Sequence, residues 1–99
     1  MRDDISQSMI LIVEDDQGLR VLHRRCLERE GFLAVGVGSG AEALAWLEDH
    51  RADLLVLDFK LPDMTAEELV VALAKAETEV PFIVVTGHGD ERIAVKMMK

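Results

Sequence analysis

Ninety-nine residues, nearly half of them hydrophobic and 30% charged, suit one small domain with a modest core and exclude a disordered chain. Nineteen acidic against eleven basic residues leave a net charge of −8, which argues against direct binding of a nucleic-acid backbone. No apolar run approaches the roughly 18–20 residues of a membrane span, the polar stretch from Met1 to Ser8 does not read as a secretory signal, and the lone Cys26 forms no internal disulfide, so a reducing cytoplasm is the expected setting.

The first element is the continuous apolar run Met9-Ile10-Leu11-Ile12-Val13, the pattern of a parallel strand buried on both faces. Glu14-Asp15-Asp16 follow it. Beyond Asp16, the residues Leu19, Leu22, Cys26 and Leu27 fall on one helical face, and that face, Cys26 included, is expected in the core. Gly31 supplies the stop. Phe32 to Val37 is a weaker run, rich in small residues, and reads as an edge strand. Ser39 with Glu42 has capping-box spacing and opens a helix through Ala43, Leu44 and Leu47, with Trp46 as packing. Leu54-Leu55-Val56-Leu57 is the third strand and ends in Asp58. Pro62 marks the next loop. Thr65 with Glu68 repeats the capping box, and Leu69, Val70 and Leu73 lie inside that helix, with Glu67 and Glu68 favouring its N-terminus. After Pro81, Phe82-Ile83-Val84-Val85 is the fourth strand. It ends in Thr86-Gly87-His88-Gly89, and a last helix starts near Asp90. Strands and helices alternate throughout, which implies an α/β fold with right-handed crossovers.

In such a sheet, ligands bind outside the carboxyl ends of the strands. Three of those ends are polar here: Glu14-Asp15-Asp16, Asp58, and Thr86 with its glycine loop. If the strands are neighbours, these groups share one crevice. Clustered carboxylates repel one another, and a hard divalent cation such as Mg2+, which takes one or two carboxylates plus waters and a phosphate oxygen, removes that penalty. Helix N-terminal charge could explain an acid at 14–16, but not Asp58 at a strand end. Asp58 is the natural nucleophile, since a carboxylate can attack phosphorus to give an acyl phosphate. Phosphoryl transfer asks mainly for positioning and charge neutralisation. Thr86 could donate its hydroxyl to a phosphoryl oxygen, and Gly87 leaves its N–H open to approach.

Three segments carry a resemblance: Ile10-Leu11-Ile12-Val13-Glu14-Asp15-Asp16, then Leu54 through Asp58-Phe59-Lys60-Leu61-Pro62-Asp63-Met64, then Val84-Val85-Thr86-Gly87-His88-Gly89-Asp90. In order and spacing they resemble the response regulator receiver family of two-component signalling, the CheY-like superfamily, over almost the whole chain. The resemblance implies a doubly wound, flavodoxin-like parallel sheet with strand order 2-1-3-4-5. It implies that Asp58 takes the phosphoryl group from a phosphohistidine on a sensor histidine kinase. Asp15 would bind Mg2+ directly, Glu14 through water, and Lys60 through its backbone carbonyl. Thr86 would bond the phosphoryl oxygen and shift inward, altering a face read by an output domain or downstream partner. The Thr86 to Asp90 stretch, with Ala94 to Lys99, also resembles receivers that precede DNA-binding or AAA+ output domains.

Some features depart from the family pattern. The family lysine and switch aromatic belong to a fifth strand, and the chain reaches Lys99 before that strand or the fifth helix. The expectation is therefore that residues 1–99 are one receiver domain within a longer protein. The uncovered sheet edge makes a homodimer a candidate assembly. Where the family often has Asp-Gly ahead of the third helix, this chain has Thr65-Ala66. A positive φ at Ala66 would cost about 1 kcal/mol or more. Two rival readings remain at this level. One is a Mg2+-dependent phosphohydrolase with an aspartyl nucleophile, which wants an acid where Lys60 stands. The other is a receiver-like interaction module that accepts no phosphate. The Lys60 and His88 side chains could overhang the site. His23, His50 and His88 are scattered, so a His-ligated metal is not expected.

Overall fold

The computed structural model describes residues 8–85 of the chain. Thr86, Gly87, His88 and the expected last helix lie outside the described residues. The element order is β1 (Met9–Val13), α1 (Gln17–Arg29), β2 (Leu33–Val37), α2 (Gly40–Asp49), β3 (Leu54–Asp58), α3 (Ala66–Lys75) and β4 (Phe82–Val85). The strands form one sheet in the order β2-β1-β3-β4, and every pairing is parallel. This is the doubly wound, flavodoxin-like order the sequence predicts for its first four strands.

The continuous apolar strands work because both faces of the sheet pack. On one face Leu11, Val13, Leu55, Leu57, Phe82 and Val84 alternate inward and meet Ala43 of α2 and Leu69 and Leu73 of α3. Leu61 and Ala66 close this core at the loop before α3. On the other face Ile10 and Ile12 are buried, and α1 lies over β1 and β2. Register matters most at the strand ends. Val13 pairs with both Val37 and Leu57, and Asp58 pairs with Val85, so the carboxyl ends of all four strands reach one rim together.

The helix ends follow the sequence signals. Asp16 caps α1, its Oδ1 accepting from Leu19 N–H at 3.0 Å. Gly31 ends that helix at φ 98°, the left-handed conformation that a side chain disfavours. Thr65 and Glu68 make the full reciprocal capping box at α3. Ser39 caps α2 through Glu42 N–H, but the Glu42 carboxylate reaches Gly38 N–H at 2.7 Å instead of closing the box on Ser39. Ala66 is the first helical residue of α3 and is buried, with no positive φ, so the Thr65-Ala66 pair carries no backbone penalty.

One expectation is corrected. The Leu19, Leu22 and Cys26 face of α1 is not core: Leu19 is 43% exposed, Leu22 is 54% exposed, and Cys26 is exposed. The helix is turned so that the stem of Arg20 lies against β2 instead. Among the described residues, nothing covers the part of this sheet face over β3 and β4, where Val56, Ile83 and Val85 are half-buried.

Candidate functional site

The acidic rim is built by strand endings. Glu14 N–H donates to Val37 C=O at 3.0 Å, continuing the ladder one residue past β1. Phe59 N–H donates to Val85 C=O at 3.2 Å and does the same past β3. Since Val13 pairs with Leu57, the next step along the two strands sets Glu14 beside Asp58. Carboxylate oxygens of Glu14, Asp15 and Asp58, one from each, lie within 4.8 Å of one another. The three residues that the sequence singles out for a metal by their side chains are therefore brought together.

Each acid has its own local reason. Asp16 is used as the α1 cap. Its N–H donates to Glu14 Oε2 at 3.1 Å, which holds the Glu14 side chain at the rim. Glu14 is only 8% exposed and Asp15 is exposed. Burial pushes the Glu14 carboxyl above its ordinary 4.5; the charges of Asp58, Asp15 and Asp16 push the same way, against the Asp16 N–H. A buried carboxyl crowded by like charges wants a cation.

The loop after Asp58 forms the far wall. Ala66 N–H donates to Phe59 C=O at 3.2 Å and Leu61 N–H to Met64 C=O at 3.1 Å, framing a bridge between Lys60 and Thr65. In that bridge Lys60 occupies the non-hydrogen-bonded position, so the ladder does not use its carbonyl. Asp63 ties the loop to α2: its two carboxylate oxygens accept from Gly40 N–H and Ala41 N–H, each at 2.9 Å. Those two bonds hold the Asp63 carboxyl below its ordinary 3.8. The acids, His23, Lys60 and Pro62 line one cleft of about 730 Å3. A second cleft, lined by Val70, Leu73 and Phe82 among others, opens beside the start of β4 at the opposite rim.

Sequence reasoning passed over two residues here. His23 was set aside as scattered, yet it lines the acidic cleft; its position one turn beyond Leu19 was the available signal. Asp63 stands in the sequence only as part of a motif, and its bond to a helix 22 and 23 residues earlier has no local signature. Thr86 and His88 lie outside the described residues, so the structure gives neither a place beside Asp58.

Comparison with known proteins agrees with this geometry. Residues 10–99 match the sequence model of the response regulator receiver domain. The transcriptional regulatory protein FixJ of Rhizobium meliloti is 42% identical over 89 residues, which is 89% of this chain and 43% of that protein. The luminescence regulatory protein LuxO of Vibrio campbellii is 36% identical over 88 residues, 89% of this chain and 19% of that protein. This chain thus spans less than half the length of these relatives. A solved receiver domain from Methylobacillus flagellatus, described as CheY-like, superposes with a TM-score of 0.77 at 32% identity, over 87% of this chain and 75% of that one. With its sheet order, its acidic rim and its matched sequence from residue 10 to residue 99, the chain belongs to the response regulator receiver domain family.

Proposed function

We propose that Asp58 accepts a phosphoryl group from the phosphohistidine of a sensor histidine kinase, in a reaction that depends on Mg2+ held by Glu14, Asp15, Asp58 and the Lys60 carbonyl. The observation that carries this reading is the meeting of three carboxylate oxygens within 4.8 Å at the sheet rim. Two ligands of one Mg2+ sit at most about 4.2 Å apart. The trio is therefore the right size if Glu14, the most buried, contributes through a water. The set is all oxygen, the chemistry Mg2+ prefers. When bound, the ion supplies positive charge beside the acids and the incoming phosphoryl oxygens.

The remaining roles belong to the chain. An Asp58 carboxylate oxygen attacks phosphorus; the new O–P bond forms as the P–N bond of phosphohistidine breaks, and the freed imidazole keeps the electron pair and takes up a proton. The loop bonds from Ala66 N–H to Phe59 C=O and from Leu61 N–H to Met64 C=O fix where the nucleophile and the Lys60 carbonyl stand. Thr86 takes the switch role, donating its hydroxyl to the phosphoryl group and moving inward. The description of FixJ as a transcriptional regulatory protein supports an output domain that regulates transcription, and a cytoplasmic setting is part of the same proposal.

Incubation of the chain with Mg2+ and acetyl phosphate, followed by intact-mass measurement, tests the reading. The wild type gains one phosphoryl group, while Asp58→Asn and an EDTA-treated sample gain none. An unmodified wild type would leave the domain a receiver-like interaction module, and steady release of phosphate from many small esters would make it a hydrolase.

A further inference from the structure

Arg20 crosses from α1 to the sheet along a track that two glycines leave open. A Cβ added at Gly36 would stand 2.6 Å from Arg20 Cγ and 3.0 Å from Cδ. One added at Gly38 would stand 3.0 Å from Arg20 Nη1. Gly36 pairs with Ile12 and Gly38 lies just past the end of β2, so the track runs up the edge strand toward the acidic rim. There Arg20 Nη1 donates to the backbone carbonyl of Glu14 at 2.8 Å. The track depends on glycine at 36, because any larger residue there occupies the space of the arginine stem.

The Glu14 carbonyl belongs to the peptide plane that ends at the Asp15 nitrogen. On the other side of the same residue, Glu14 N–H is held by Val37 C=O at 3.0 Å. The backbone between the two acids is thus clamped from both sides, and the direction in which the Asp15 side chain leaves follows from that clamp. The guanidinium also brings a fixed positive charge to a rim that otherwise gathers Glu14, Asp15, Asp16 and Asp58.

We infer that Arg20 is a positioning residue for the metal site, seated in a glycine track on β2 and aiming the Glu14-Asp15 pair at a divalent cation. The inference rests on the reading of those acids as a Mg2+ site. Partners that orient metal ligands typically govern affinity by 10–100-fold, and a contact made through the backbone belongs at the low end, about 10-fold.

Calorimetric titration of Mg2+ into the full chain tests this with four variants. Arg20→Met keeps the stem and removes the donor, and its Mg2+ dissociation constant rises about 10-fold. Gly36→Ala leaves arginine in the sequence but expels it from the track, and it weakens binding to the same extent. The double variant is no weaker than either single one, because both remove one arrangement; independent effects would multiply to about 100-fold. Arg20→Lys restores a cationic donor on a flexible stem and recovers most of the affinity. In acetyl phosphate labelling, the Arg20→Met deficit at low Mg2+ disappears at saturating Mg2+, which a general folding defect would not do. Wild-type affinity in Arg20→Met, multiplied losses in the double variant, or a labelling deficit that persists at saturating Mg2+ would each overturn the inference. A wild type that binds no Mg2+ would instead overturn the metal reading beneath it.

Discussion

Replacing Asp58 by asparagine should make the metal-free domain more stable, although it removes the proposed reacting group. The Asp58 carboxylate has an oxygen within 4.8 Å of both Glu14 and Asp15. For one pair of unit charges at that distance, repulsion is about 0.9 kcal/mol at the dielectric of water and about 3.5 kcal/mol at the value typical of pairs near a protein surface. Asn keeps the size of the side chain and deletes both pairs. The gain is reduced because salt screens the exposed Asp15. A net stabilisation of about 1–2 kcal/mol remains, which raises Tm by about 5–10 °C in a domain of this size. Thermal melts followed by circular dichroism, in EDTA at low ionic strength, measure it directly. The advantage should shrink with added salt. It should also shrink or reverse in Mg2+, since an ion at 100 times its Kd stabilises the wild type by about 2.7 kcal/mol and the variant by less. An Asp58→Asn domain that melts at or below the wild-type temperature in EDTA would refute the claim that these carboxylates repel at close range.

Four further outcomes follow from single features. Glu14 has its folded pKa raised above 4.5, so the native state holds its proton more tightly and metal-free stability falls as pH rises from 4.5 through the folded value; Glu14→Gln should flatten that limb of a urea-unfolding pH series. Asp63 has the opposite sign: its folded pKa lies below 3.8, its stabilisation is present above 3.8 and is lost as pH falls through the folded value, and Asp63→Asn should remove that loss. Thr65→Ala removes the acceptor for Glu68 N–H and should cost about 1 kcal/mol in urea unfolding, with Thr65→Ser restoring most of it. Gly31→Ala forces a side chain into φ 98° and should cost about 1–2 kcal/mol by the same assay; an unchanged midpoint would mean the turn can relax.

Most of the fold was legible because its signals are local. Unbroken runs such as Leu54 to Leu57 carry the mark of a two-faced parallel strand, and Thr65 with Glu68 announces a helix start in four residues. The acidic site was legible for a different reason: strand ends share a rim in any parallel sheet, so Glu14 and Asp58 had to meet once their strands were neighbours. What stayed hidden depends on distance or on rotation. The periodicity of Leu19, Leu22 and Cys26 gives an apolar stripe but not the direction it faces, and the position of Arg20 against Gly36 shows that α1 turns another way. Gly36 reads only as part of a weak strand and Gly38 lies just beyond it, although their alternation is the trace of that arginine. Asp63 bonding to Gly40 and Ala41 joins segments whose proximity only the folded chain reveals.

The most direct test of the metal reading is to titrate Mn2+, as a paramagnetic stand-in for Mg2+, while recording amide NMR spectra. The account requires broadening centred on residues 14–16 and 58–61, abolished by excess Mg2+ and absent from a chain carrying Asp15→Asn with Asp58→Asn. Signals that instead fade evenly across the acidic surface, or around the cleft beside Val70 and Phe82, would contradict a single ion held at the carboxyl rim of the sheet.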